Sequence, residues 1–276
     1  ELLCLAATRA SDDDDKKVFN YLLDYFLKDL AEMPEKTKKS ILEMVYSYCN
    51  PFITGMLNKY FSSDISEELF PENTFDGKII ILDFPVKEYL HLGIYAQMIY
   101  KKIWQQAVER RKVTPSRGRP VFMWIDEAQY FITEDDMMFQ TTARSSKACS
   151  VLLTQNISNY YAAIGGGDPV RKVDSLLGNL VTKIFHANND YVTNEWASKT
   201  IGKAHVNRES YSTSGEGSVS SSVNIEDQVF PVEFTQLRTG GSINDDKVDA
   251  IITSVGRSWS SGKNFLKTSF EQNYGN

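Results

Sequence analysis

The run Val121-Phe122-Met123-Trp124-Ile125 ends abruptly in Asp126-Glu127 and follows the turn-prone Arg117-Gly118-Arg119-Pro120. Five consecutive apolar residues predict a strand buried on both faces, the pattern of a parallel sheet, and place the two carboxylates at the sheet edge. That is the layout of a Walker B motif. In this reading Asp126 is the cofactor-binding acid, holding through water a magnesium ion on a bound ATP. Glu127 orients or deprotonates the water that attacks the terminal phosphate.

Such a strand works together with a phosphate-binding loop of the form G-x-x-x-x-G-K-[ST]. None precedes residue 121. The nearest approach, Gly256 to Asn264, has five residues between its glycines and Asn264 where a magnesium-binding hydroxyl belongs, and it lies after the acid strand. Its Gly and Ser content reads as a polar hairpin tip. By itself the chain is expected neither to bind ATP tightly nor to hydrolyse it.

A net charge of −6, from 30 basic and 36 acidic residues, argues against a surface built uniformly to coat nucleic acid. Cys4, Cys49 and Cys149 form no close pair and His91, His186 and His205 have no ligand spacing, so neither a disulfide framework, a zinc site nor any other His or Cys metal centre is expected. An intracellular, reducing setting follows. No apolar stretch approaches the roughly 18 residues of a membrane span, so the chain is expected to be soluble. It opens on Glu1 in what reads as the middle of a helix, which suggests a piece of a longer protein.

Along the chain, Ser11 and the aspartates 12–15 read as a helix cap with an acidic first turn, leading into Val18, Tyr21, Leu22, Tyr25 and Leu30 at helical spacing. A second helix carries Ile41, Met44, Val45 and Tyr48 and is expected to stop before Pro51. Residues 1–74 are therefore predicted as a mainly helical segment. After the Asp76-Gly77 turn, the β-branched run Lys78 to Phe84 predicts a buried parallel strand, followed by a helix from about Leu90 to Arg111.

Beyond the acid strand, the spacing predicts a helix over Glu134 to Lys147 and a strand over Cys149 to Thr154. Helical material then reaches about Leu177, with a strand over Leu180 to Phe185 and a helix over Val192 to Ile201. Alternation of this kind predicts an α/β doubly wound sheet over residues 75–276. Ser210 to Ser222 reads as an exposed hairpin or mobile loop, and Val248 to Phe270 as two strands around Gly262, extending the sheet antiparallel.

Working residues in such folds gather at the C-terminal ends of strands. Gln155, ending the strand after the acid strand, is a candidate to bridge the attacking water or the γ-phosphate. Arg144 is a candidate arginine finger for a neighbouring subunit's phosphate. Asp83 ends the first strand and reads as a turn or cap.

The order Asp76-Gly77-Lys78 to Asp83, Trp124-Ile125-Asp126-Glu127-Ala128-Gln129, Thr142-Ala143-Arg144-Ser145, Leu153-Thr154-Gln155-Asn156 and Leu177-Gly178-Asn179-Leu180 resembles the TraG/TraD-type conjugative coupling proteins, members of the HerA/FtsK group of motors. The resemblance spans roughly residues 75 to 240. It implies a RecA-like P-loop NTPase core with a mostly parallel sheet, here incomplete at its N-terminus and lacking the Walker A loop. It also implies an ATP- and magnesium-dependent DNA translocase working with a type IV secretion channel and relaxosome proteins. Such motors are homo-hexamers at the cytoplasmic face of the bacterial inner membrane, held by an N-terminal anchor. Carried over by position, the resemblance makes Asp126 the magnesium acid, Glu127 the catalytic carboxylate and Gln155 the sensor, with Arg144 in the helix that follows. Residues 1–70 correspond in this picture to the family's all-helical insert.

Two other readings fit the same residues. Asp126-Glu127-Ala128-Gln129 also fits motif II of superfamily 2 helicases, although Leu153-Thr154-Gln155-Asn156 stands where those carry a Ser-Ala-Thr motif. The chain also fits a non-catalytic assembly module descended from a motor.

Overall fold

In the computed structural model, residues 13–61, 67–114, 118–212 and 218–272 are described, and the Ser11 cap expected from the sequence lies outside them. The chain divides into two compact units, Glu1–Glu67 and Glu68–Asn276.

The first unit is helical. Helix α1 (Asp13–Asp24) carries Asp13, Asp14 and Asp15 in its first turn, where the helix dipole favours negative charge, and continues through a π-helical turn (Tyr25–Asp29) into Leu30–Glu32. Helix α2 (Glu35–Ile53) then leads to α3 (Met56–Phe61). Contrary to the expected stop, α2 runs through Pro51. A proline this close to the C-terminus sacrifices one backbone hydrogen bond, and the chain leaves the helix two residues later.

The second unit holds the sheet strands. Its helix α4 (Val86–Arg110) is kinked at Leu90, whose backbone has φ 48° and ψ −133°. Strand β1 (Val121–Ile125) pairs in parallel with β2 (Ala148–Leu152), Val121 opposite Ala148 and Ile125 opposite Leu152. Between them run a short 3₁₀ turn (Ala128–Tyr130) and α5 (Glu134–Thr142). Helices α6 (Ile157–Ile164) and α7 (Pro169–Asn179) lead to β3 (Thr182–Phe185), and α8 (Tyr191–Ile201) follows. Strands β4 (Lys203–Ser212) and β5 (Ser218–Asp227) form an antiparallel hairpin, as one of the sequence readings has it, with the turn outside the described residues.

Strands β6 (Lys247–Ser254) and β7 (Phe265–Glu271) pair antiparallel around the Gly262 turn, and β6 also pairs antiparallel with β3. The Gly256–Asn264 segment is thus a hairpin tip, closed by Gly262 N–H donating to Trp259 O at 2.8 Å. Among the described residues the parallel pairing is confined to β1 and β2, so the mostly parallel sheet expected from the sequence gives way to a mixed arrangement with a small parallel sheet.

The Lys78 to Phe84 run departs from expectation as well. Residues 78–85 form no strand, and Ile79 and Ile81 are 88% and 82% exposed. β-propensity reflects packing against neighbouring strands, and here no described strand pairs with the run. Instead Gln97 donates its side-chain amide to Phe84 O at 2.9 Å, tying the segment to α4. Gly93 permits that approach, because a Cβ there would lie 3.0 Å from Phe84 O. A cavity of 680 Å³ separates the run from β1, lined by Ile79, Ile81, Phe122 and Trp124 among others.

Three apolar clusters hold the second unit. Ala128, Ile157, Tyr160, Val173 and Leu176 pack beneath the end of β1. Trp104, Val108, Val121, Phe139 and Ala143 join α4 and α5 to the start of β1. Ala197, Ile201, Val229, Phe234 and Phe265 fasten α8 to the β6–β7 hairpin. Each fully buried valine, leucine, isoleucine or phenylalanine among them contributes about 1.5–3 kcal/mol over leaving it in water. The first cluster therefore gives the acid-bearing turn a rigid floor.

Candidate functional site at the strand ends

Parallel strands deliver the residues after their last pairs to the same edge. Leu153 N–H donates to Ile125 O at 2.9 Å, and Ala128 N–H donates back to Leu153 O at 2.8 Å, so the turn carrying Asp126 and Glu127 is fastened to the end of β2. Asp126 is exposed and Glu127 half-buried. Glu127 adopts the left-handed conformation, φ 47° and ψ 45°, and its N–H donates to Asp126 Oδ1 at 2.9 Å.

Both oxygens of the Glu127 carboxylate are held by amides. Gln129 Nε2 lies 2.6 Å from Oε2 and Gln155 Nε2 lies 3.0 Å from Oε1. Gln129 is buried and Gln155 exposed. Thr154 donates its hydroxyl to Gln129 Oε1 at 2.8 Å. The structure thus brings together three of the four residues singled out in the sequence: Asp126, Glu127 and Gln155. Gln129 and Thr154 were missed as site residues, although both stand inside the motifs already marked, Asp126 to Gln129 and Leu153 to Asn156.

Arg144 lies elsewhere. It is exposed in the turn between α5 and β2, at the end of the strand pair where Val121 N–H donates to Lys147 O. That is the edge opposite the acids, so the fold does not bring Arg144 to them within one chain.

Behind Gln155, the N-termini of α6 and α8 are tied together. Asn188 Nδ2 donates to Gln155 O at 2.6 Å, and Asn156 caps α6 by accepting Asn159 N–H at 2.8 Å. Asp190 caps α8, accepting from Thr193 N–H at 3.1 Å and from the Thr193 hydroxyl at 2.7 Å, and it also receives Ser158 Oγ at 3.0 Å. Burial pushes the Asp190 carboxyl up, but the hydrogen bonds from Thr193 and Ser158 outweigh it and hold the group below the usual carboxylate range.

On the other flank, the buried Lys101 of α4 donates to Asp136 Oδ2 at 2.5 Å and to Phe131 O, while Gln105 donates to Asp136 Oδ1 at 2.7 Å. Burial lowers the Lys101 pKa, and the neighbouring Asp136 opposes that shift. Asp136 also accepts Thr133 N–H at 2.7 Å, closing a capping box on α5. The loop after Glu127 is therefore pinned from both sides.

The donor set fits magnesium held mainly by phosphate and water. Asp126 offers an exposed carboxylate whose Oδ2 has no partner among the described residues, and within those residues no three His, Cys, Asp or Glu side chains cluster. Mg²⁺ habitually takes one or two protein carboxylates and fills its octahedron with water and nucleotide oxygens.

The fold and site define a mixed α/β protein with an acid and amide cluster at the ends of two adjacent parallel strands. Residues 120–235 match the family model described as the TraM recognition site of TraD and TraG. In fold the second comparison is with the plasmid coupling protein TrwB. The unbound form of a TrwB lacking its first 70 residues superposes with a TM-score of 0.54 at 17% identity, covering 76% of this chain and 44% of that one. TrwB with ADP and Mg²⁺ gives a TM-score of 0.53 at 18% identity over 76% and 43%, and TrwB with the non-hydrolysable GTP analogue GDPNP gives 0.52 at 18% over 76% and 44%. The chain thus spans less than half the length of these structures. No curated protein sequence matches it. Together these findings show that residues 120–235 are similar to the TraM recognition region of TraD and TraG and that the chain shares its fold with part of TrwB. Among the described residues no helix is long and apolar enough to cross a membrane.

Proposed function

We propose that this chain is the C-terminal part of an ATP-driven motor that moves conjugative DNA towards a type IV secretion channel. The observation that carries the reading is the Glu127 carboxylate, held at the ends of β1 and β2 between Gln129 and Gln155. Magnesium, when bound with ATP, neutralises charge on the phosphates, and Asp126 would hold it through water. Glu127 orients the attacking water and takes its proton. Gln155, exposed just past the end of β2, exchanges its contact with Glu127 for the γ-phosphate and so reports its presence. Arg144, remote from its own acids, serves the site of a neighbouring subunit in a hexamer. The phosphate loop comes from a part of the protein outside these residues, as does an anchor at the inner membrane.

The partners follow the same reading. The name of the matched family model points to TraM, a relaxosome component, as a ligand of residues 120–235. DNA is the transported polymer.

The test uses the protein with the segment that supplies its phosphate loop. Glu127→Gln should abolish ATP hydrolysis while a fluorescent ATP analogue still binds; undiminished turnover would remove Glu127 from the mechanism. Binding to single- and double-stranded DNA should weaken steeply with added salt, as counterion release requires, and salt-independent binding counts against DNA as the substrate.

A further inference from the structure

We propose that Gln129 is the positioning residue for Glu127, itself held by a hydrogen bond from Thr154. The inference rests on the reading of Glu127 as the carboxylate that handles the attacking water, and it assigns the group that holds this carboxylate in place.

A side chain on a left-handed turn gains no orientation from a strand ladder or helix, so Glu127 needs an external hold. Gln129 supplies one from two residues away. It is 6% exposed, and its Nε2 sits 2.6 Å from Glu127 Oε2. The carboxylate, which can only accept, decides which end of the amide faces it, and the Thr154 hydroxyl donates to the Oε1 left on the other side at 2.8 Å. Turned over, the amide would set its own carbonyl against the carboxylate.

Thr154 has a single hydroxyl hydrogen, directed mainly at Gln129 Oε1 at 2.8 Å, with Asn156 O more distant at 3.3 Å. Thr154, Gln129 and Glu127 thus form a chain in which each group donates to the next, and such runs reinforce one another. The two oxygens of Glu127 consequently have unequal holders. Oε2 is gripped from the core by Gln129, while Oε1 is held by Gln155, whose exposed amide can leave. A neutral amide also orients the carboxylate without cancelling its charge.

The experiment is steady-state ATP hydrolysis by the complete motor protein carrying its phosphate loop. Gln129→Leu should lower kcat roughly 10- to 100-fold with KM for ATP unchanged, because the carboxylate loses its near-attack orientation while the nucleotide contacts stay. Thr154→Val should cost a similar factor, Thr154→Ser should recover most of it, and the Gln129→Leu/Thr154→Val pair should fall no further than Gln129→Leu alone, since both changes break one chain. Additive losses, or a raised KM with kcat intact, overturn the proposal. If Glu127→Gln is inactive and Gln129→Leu turns over normally, the proposal fails alone. If Glu127→Gln turns over like the parent, or the parent has no hydrolysis, the functional reading fails and this proposal with it.

Discussion

Gln155 donates its side-chain amide to Glu127 Oε1 across 3.0 Å, joining residues 28 apart in sequence at the ends of two parallel strands. The contact exists because Leu153 N–H and Ile125 O bring the strand ends level, and because Asn188 holds the Gln155 carbonyl from behind. Its backbone is fixed while its side chain faces solvent. A group so placed can change partners without any movement of the fold.

On the proposed reading, Gln155→Ala should therefore slow ATP hydrolysis by the protein carrying its phosphate loop about 10-fold or more, the range for losing one well-placed polar contact to a transition state. Affinity for a non-hydrolysable ATP analogue, followed by fluorescence, should change only a few-fold. Equal turnover in the two proteins would remove Gln155 from the sensing role.

The Lys101–Asp136 pair predicts a stability effect separate from catalysis. Both side chains are buried, so Lys101→Met leaves the Asp136 carboxylate without its cation and should cost about 3–5 kcal/mol in urea unfolding. Adding Asp136→Leu should recover part of this and not all, because Asp136 also accepts Thr133 N–H in the α5 capping box. A Lys101→Met protein as stable as the parent would show the pair to be solvated.

Asp249 predicts the acid limb of the stability profile. Hydrogen bonds from Arg238 first, then from Ser269, hold its carboxyl far below the ordinary range, with Arg238 reaching it through Nε at 3.0 Å and Nη2 at 2.7 Å. A carboxyl depressed in the folded state contributes stability in full above its unfolded value, about 3.9, and loses it as pH falls towards the folded one. Asp249→Asn should thus lower the Tm at pH 7 and flatten the decline below about pH 4. Parallel Tm curves for the two proteins through that window would exclude the linkage.

Asn156 caps α6 one residue after Gln155. Asn156→Ala should destabilise by about 1 kcal/mol and Asn156→Asp by much less, measured by thermal unfolding. Equal losses for both would mean that the cap bond is not what the residue provides.

What was legible in the sequence was whatever period and polarity encode locally. An apolar run cut off by Asp126-Glu127, and a second run cut off by Thr154-Gln155, announced two strand ends at one edge, and the helices between them followed from apolar spacing and cap residues. The Lys78 to Phe84 run was misread because its β-branched composition describes a residue's fitness for a sheet and not whether a partner strand is present. Helix α2 passed Pro51 because a proline in the last turn costs little. Gln129 escaped notice for a different reason: its role depends on Thr154, 25 residues away, and a contact at that range leaves no periodic signal.

If Glu127 has the role proposed for it, its left-handed backbone sets folding against function. With φ 47° and ψ 45°, a residue bearing a Cβ is about 1–2 kcal/mol less comfortable than glycine would be there. A chain selected for folding alone would place glycine or asparagine at position 127, so the stabilising substitutions at this corner are the ones that delete its acid.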